Sequence, residues 1–501
     1  MRYFYNKKWV CCFMFALFIL SLIPLLIISH SALPTQDDFW YGIPAAQAWQ
    51  ETGSITQTVN AAVQRTQYAY ETWQGTFVAI FFMSAHPAIF GAGFYMLGVI
   101  FVILMFASAN LFFLKVILMD YLKMDKYTYG IVTLLFTFIS MQFVFSAREG
   151  FFWYNSAMFY SGFHSLSLFM LGMLGLALKE ESEPSKISYI LVPIFAFLVG
   201  GSNFISALTS AVVLALVLAW LGYKHFCIKA KVSMQKWLVP ILGFAAISVS
   251  LIIAITAPGN ALRQVILEES GYGIQMNPIL AILQSFRHGF LFFTTFRQQV
   301  LPFPVWIALG CMIPIIYNAT RQIVQKGVFI HKYSILVVPL FYGVYASTFT
   351  PNLYSMSSFG PNRVVNVNFY WFLLFVFVAM IFICGNIAAI LGTSHSSFLV
   401  EKSSGKDSSS ISKTAAIGLA IFVLSCVFIA TEDVNSMMST SAARSVITGE
   451  ARTYRIEYFE RIERLREPGV NPDEIPFFTV FPYVLPILPP GDNDEVVRFF
   501  R

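Results

Sequence analysis

Charge is the scarcest ingredient of this chain. Lysine, arginine, aspartate and glutamate make up 12% of its 501 residues, against about a quarter in soluble domains. That excludes an ordinary water-soluble globular protein, and no nucleic-acid partner is expected. Cysteine is sparse as well. The six residues, Cys11, Cys12, Cys227, Cys311, Cys384 and Cys426, fall in or beside apolar runs, with neither metal-ligand spacing nor an identifiable disulfide partner. No phosphate-cradling glycine loop, nucleophile elbow or zinc signature occurs. His86, His164 and His288 are too widely spaced to suggest a metal site. Neither an internal repeat nor a pair of short inverted broken spans is evident.

What the chain has instead is apolar sequence: 57% of it is hydrophobic, in recurring runs of membrane-spanning length. The pattern predicts an all-α polytopic membrane protein. Eleven spans are expected, near 9–29, 87–113, 128–147, 155–178, 187–200, 203–222, 236–256, 302–318, 333–349, 369–391 and 414–431. The first follows Arg2, Lys7 and Lys8 and reads as a retained anchor, because Ser31–Ala32–Leu33 is a poor cleavage site. With eleven spans every lysine falls on one side, and the positive-inside rule makes that side cytoplasmic. The amino terminus is then cytoplasmic and the carboxy terminus extracytoplasmic, in a multi-pass plasma-membrane protein.

The outer side then carries loops 30–86, 257–301 and 350–368 and a tail, 432–501. The expected organisation is a transmembrane unit over 1–431 and a short tail packed on its outer face. In the first loop, Ile43–Trp49 and Ile55–Trp73 read as helices lying along the interface, with Phe77–Met83 as a further apolar run. Ile279–Phe296 is apolar but interrupted by Gln284, Arg287 and His288; it reads as interfacial or re-entrant. In the tail, Val446–Leu465 fits one amphipathic helix. The serine-rich run from Ser403 to Ser410 reads as a flexible linker.

Chemically capable residues concentrate on that outer side. Asp37 and Asp38 stand just beyond the first span, among Phe39, Trp40 and Tyr41. Adjacent acids repel, which raises the pKa of one of them and suits a base; the plainer reading is a helix break facing water. Glu71 and Trp73 close the second interfacial helix. Arg148 and Glu149 follow the third span and could be only a local ion pair. Asn203 could simply cap the following helix. Asn260 and Arg263 follow a Pro–Gly turn, and Arg363 lies in the last outer loop. Arginine's planar fork matches phosphate oxygens. Together these supply a carboxylate to take a proton, cations for a departing phosphate, and planar or amide groups to hold a sugar.

The acidic pair in a long first outer loop, the aromatic segment Tyr68–Gly75 and the many spans resemble the GT-C superfamily of membrane glycosyltransferases, in particular bacterial members found beside surface-polysaccharide or teichoic-acid genes. The resemblance implies a GT-C-like fold and sugar transfer from a polyprenyl-phosphate donor to a cell-envelope glycan or lipid-linked acceptor. It implies action on the extracytoplasmic face, with inversion at the anomeric carbon and Asp37 or Asp38 as general base. Glu71, Trp73, Arg148, Glu149, Asn203, Asn260, Arg263 and Arg363 are the candidate donor-binding residues; topology rather than a motif selects the arginines. Some relatives need a divalent cation, for which this chain offers no full ligand set, and the large soluble carboxy-terminal domain of others is not expected here. Two other functions fit the composition: a transporter or flippase of a lipid-linked glycan, and a non-catalytic subunit of a polysaccharide assembly system.

Overall fold

The computed structural model describes residues 7–180, 183–271, 277–295, 301–326, 334–393, 406–467, 470–471, 474–489 and 493–500. Phe296 and the first three residues of the serine-rich run lie outside them. The described residues form helices and connecting turns, with no strand among them.

The chain opens with α1 (Lys7–Ile28). The first long loop folds as α2 (Asp37–Thr52), α3 (Ile55–Thr72) and α4 (Phe77–Ser84), followed by α5 (Tyr95–Lys115), α6 (Lys126–Gln142) and α7 (Tyr154–Ala177). Next come α8 (Ser188–Gly200), α9 (Phe204–Gly222), α10 (Met234–Ile255), α11 (Pro258–Glu269), α12 (Pro278–Thr295), α13 (Phe303–Gln325) and α14 (Ser334–Ser347). The rest comprises α15 (Thr350–Met356), α16 (Asn362–Thr393), α17 (Lys406–Glu432), α18 (Met438–Ile447), α19 (Glu450–Arg466) and α20 (Asn493–Phe500).

Seven helices among the described residues are long and apolar enough to cross a membrane: those built on α1, α5, α7, α9, α10, α13 and α16. This is a helical, multi-pass membrane protein. The other expected spans fall on α6, α8, α14 and α17, whose described apolar stretches are shorter. Local chemistry sets several helix ends. Ser54 caps α3 by accepting from Gln57 N at 3.4 Å, Asp125 caps α6 through Tyr127 N and Thr128 N, and Asn203 caps α9 through Ser206 N at 2.8 Å.

The bundle has two chemically different ends. Lysines meet acids at one: Lys7 with Asp125 at 3.1 Å, Lys115 and Lys179 with Asp120 at 2.8 and 2.9 Å, and Lys224 with Glu180 at 2.5 Å. Helices α1 and α5, of 22 and 21 residues, each run from this end to the one that holds Asp38. At 1.5 Å per residue that is roughly 30 Å, the thickness of a bilayer's hydrocarbon core.

Three boundaries differ from the sequence reading. The acidic pair is the first turn of α2, not loop, where two carboxylates favour the positive end of the helix dipole. Helix α16 starts at Asn362, several residues before the expected span, so Arg363 is in its first turn. The tail helix is two helices, because Gly449 takes a left-handed φ of 78° between α18 and α19.

Close backbone contact joins the first loop to α11. A Cβ on Gly259 would overlap the backbone nitrogen of Trp73 and come within 2.8 Å of the Tyr70 carbonyl. Asn260 fastens the same joint: its Oδ1 accepts from Gly75 N at 3.0 Å, and its Nδ2 donates to the carbonyls of Ala254 and Ile255 at 2.8 and 3.0 Å. Gly259→Val is therefore expected to destabilise the protein by about 1–3 kcal/mol through overpacking, read as a lower thermal midpoint in detergent. The same substitution at Gly93, where a Cβ meets nothing within 4 Å, should have much less effect.

Candidate functional site

The two adjacent aspartates occupy opposite environments. Asp38 is fully buried. Its Oδ2 accepts from Tyr95 Oη at 2.7 Å and Thr35 N at 3.0 Å, and its Oδ1 accepts from Asn155 N at 3.2 Å. Tyr95 Oη in turn accepts from Tyr154 N at 2.7 Å, and the Asp38 carbonyl contacts His86 Nε2 at 2.9 Å. One carboxyl thus ties α2 to α5 and to the start of α7. Burial pushes it up to about 7, against the downward pull of the three donors; repulsion from Asp37, the cause expected from sequence, is the smallest contribution. A group whose oxygens already accept three hydrogen bonds is a structural clamp.

Asp37 is exposed, yet the protein around it removes enough water to push its carboxyl above the ordinary aspartate value. Opposing that rise are two guanidiniums, Arg363 first and then Arg263. They come from helices more than two hundred residues away in sequence. The residue before Asp37, Gln36, has φ 48° and ψ −125°, a strained backbone for a residue with a side chain. That strain is held by the preceding residue: Thr35 N donates to Asp38 across the turn, and Thr35 Oγ1 donates to the Ile487 carbonyl at 3.2 Å.

Each arginine is positioned by its own support. The Arg263 guanidinium lies 5.2 Å from the centre of the Trp73 ring and donates to Gln74 Oε1. Gln74 Nε2 reaches Tyr41 Oη at 3.5 Å, and Tyr41 feels the charges of Asp37, Arg263 and Arg65. The Arg363 guanidinium lies 5.4 Å from the Trp153 ring and 6.0 Å from the Tyr160 ring. Glu149 Oε2 accepts from Arg363 N at 3.0 Å and pairs with its Nη1 at 3.5 Å, while Oε1 accepts from Asn362 Nδ2 at 3.3 Å. Glu149 therefore offsets the cost of a cation at the positive end of α16. Two hydrogen bonds between Asn366 and the Ser146 backbone, of 2.8 and 3.0 Å, fix that loop to α16. The buried Trp153 indole N–H has no acceptor among the described residues, leaving a donor beside Arg363.

The structure thus brings Asp37, Trp73, Arg263, Glu149 and Arg363 into one neighbourhood, with Asn260 holding the Arg263 helix. Arg148 points elsewhere: its Nη2 donates to the Tyr483 carbonyl at 3.3 Å, fastening the tail. Asn203 is buried and uses its amide to cap α9 and to donate to the Phe159 carbonyl. Glu71 is exposed and accepts from Gln67 Nε2 at 3.1 Å. Tyr41, Gln74, Trp153 and Tyr160 were not singled out from the sequence. Tyr41, one helical turn after Asp37, had a legible signal in that spacing; the others depend on tertiary packing. Arg65, stacked on Trp40 at 4.5 Å, extends the cationic rim along α3.

Among the described residues no group of three or more His, Cys, Asp or Glu side chains could hold a metal ion. Glu149 and Asp38 are engaged and Asp37 faces two cations, so this neighbourhood does not fit a fully protein-ligated divalent cation.

The two aspartates should separate cleanly on mutation. Asp38→Asn leaves one of three donors without an acceptor, or opposes it with an N–H, and is expected to cost about 1–3 kcal/mol, seen as a lowered thermal midpoint in detergent. Asp37→Asn should leave that midpoint unchanged.

Comparison of the chain with protein-family models, with curated proteins and with solved structures finds no match.

Proposed function

We propose that this protein is a GT-C-like membrane glycosyltransferase, moving a sugar from a polyprenyl-phosphate donor to a hydroxyl of a cell-envelope glycan or lipid-linked acceptor. The observation that carries the reading is the convergence of Arg263 and Arg363, from separate helices, on the charge of Asp37. Asp37 takes the proton from the acceptor hydroxyl as its oxygen bonds to the anomeric carbon. The bond from that carbon to the phosphate oxygen breaks, its electron pair leaves with the phosphate, and Arg263 and Arg363 hold the growing negative charge. Trp73 and Tyr160, both half-buried, offer flat faces for the sugar, and inversion follows from attack opposite the phosphate.

The sidedness fits the same reading. The lysine-bearing end is cytoplasmic by the positive-inside rule, which places Asp37 and the tail outside a bacterial plasma membrane. Eleven crossings are reached by counting α6, α8, α14 and α17 with the seven long helices. A second reading, a carrier of lipid-linked glycans, draws on polar side chains buried along α7 and α9, where Ser210 Oγ donates to Ser167 Oγ at 3.1 Å and His164 Nδ1 has no partner among the described residues. That track holds no charge, which favours the transferase.

Asp37→Asn is expected to lower transfer from a panel of polyprenyl-phosphate sugars by about 10²–10⁴-fold, with binding of polyprenyl phosphate itself retained. Wild-type transfer rates in that variant would remove the base role.

The pH dependence tests the arrangement separately. Ionised Asp37 is the active form, so activity rises as pH climbs through its raised pKa. Arg363→Gln or Arg263→Gln removes a charge that lowers this pKa. In the residual activity of either variant the acid limb should move to higher pH; a limb unmoved in both would place these arginines away from Asp37.

A further inference from the structure

A second site lies where the end of α1 meets α19. A cavity of about 660 Å³ is lined there by Ile27 and Ile28 on one side and by Arg452, Arg455, Glu460 and Glu463 on the other. Its apolar wall continues into the face of α1 that carries Leu20, Ile23 and Ile27, which are 61%, 44% and 53% exposed. These residues are spaced i, i+3 and i+7, so they form one stripe along a membrane-spanning helix. The cavity therefore opens at the height where that stripe leaves the hydrocarbon, some 30 Å from the lysine-bearing end.

The polar wall has both signs of charge, in order along one helix face. Arg452 and Arg455 come first, then Glu460 and Glu463 a little over a turn beyond. Among the described residues no hydrogen bond or ion pair occupies Arg452, Glu460 or Glu463; Arg455 donates to the His30 carbonyl and lies 5.1 Å from the centre of the Phe459 ring, both residues lining the cavity. Two guanidiniums alone would suit any anionic headgroup. Two carboxylates beside them disfavour a purely anionic one and call for a cation in the same molecule. A primary ammonium can donate hydrogen bonds to both glutamates, which a quaternary ammonium cannot.

We infer that this cavity binds an amino-phospholipid of the phosphatidylethanolamine class. Its phosphate sits on Arg452 and Arg455, its ammonium on Glu460 and Glu463, and an acyl chain lies along the Leu20–Ile23–Ile27 stripe. The occupant ties the amphipathic tail helix to the bilayer beside α1. This site is independent of the proposed glycosyl transfer.

The test is native mass spectrometry of the full-length protein released from detergent with phosphatidylethanolamine, phosphatidylcholine or phosphatidylglycerol of matched acyl chains. Phosphatidylethanolamine should bind about tenfold more tightly than either of the others, a difference of about 1.4 kcal/mol. The double variant Glu460→Gln/Glu463→Gln should bring it down to the phosphatidylcholine level, and Arg452→Gln/Arg455→Gln should weaken all three lipids. Thermal midpoints of the variants confirm that they are folded. Equal binding of phosphatidylethanolamine and phosphatidylcholine, a preference for phosphatidylglycerol, or wild-type selectivity in the glutamate variant would each overturn the assignment.

Discussion

The site depends on one buried carboxyl group. Asp38 takes hydrogen bonds from Thr35, Tyr95 and Asn155, and through them the first loop, α5 and α7 share a single anchor. Burying an acid is costly unless its oxygens are satisfied, and here the three donors meet that need. What the clamp secures is the strained turn at Gln36 and, with it, the direction in which Asp37 leaves the start of α2. An acid that is fully enclosed and an acid that is open to solvent thus stand side by side, the first holding the second in place.

Around that anchor the two ends of the bundle are built on different chemistry. Lysines and their acidic partners gather at one end in pairs that leave the carboxylates engaged. At the other end arginines dominate, and their partners are aromatic rings, amides and backbone as often as acids. Arg263 rests against Trp73 and Gln74; Arg363 rests against Trp153 and Tyr160, with Glu149 at its backbone N–H and at one guanidinium nitrogen. A guanidinium held by a ring face keeps most of its N–H donors free. Such donors are what a phosphate would require, and the nearness of both arginines to Asp37 is the physical basis of the proposed transfer. The tail completes this end. Tyr458 donates to the Pro34 carbonyl at 2.7 Å, and Phe499 stacks on His86 with ring centres 5.7 Å apart.

Much of the framework was legible in the sequence, because long apolar runs and one-sided lysine are large signals. Helix α3 was expected within a residue, since periodicity marks it, and the apolar run Phe77–Met83 falls on α4 without having been read as a helix. The division of labour between Asp37 and Asp38 was not legible: neighbouring acids look alike until burial separates them. Asn260 was chosen as a binding residue on residue type, but its amide is used on backbone at a joint that only the close approach of Gly259 to Trp73 makes visible. Arg148 and Arg363 looked equivalent on topology; packing sends one to the tail and the other toward Asp37. The roles of Gln74 and Tyr160 arise from contacts made across distant segments, which no local pattern encodes.

The central claim is that Asp37, Arg263 and Arg363 form one phosphate-accepting neighbourhood at the end of the bundle opposite the lysines. A cryo-electron microscopy structure of the full-length protein with polyprenyl phosphate bound tests it most directly. The account predicts the phosphate within hydrogen-bond distance of both guanidiniums, with the Asp37 carboxyl facing the position of the missing sugar. A phosphate held elsewhere, or density that leaves Arg263 and Arg363 on their present partners alone, would contradict it.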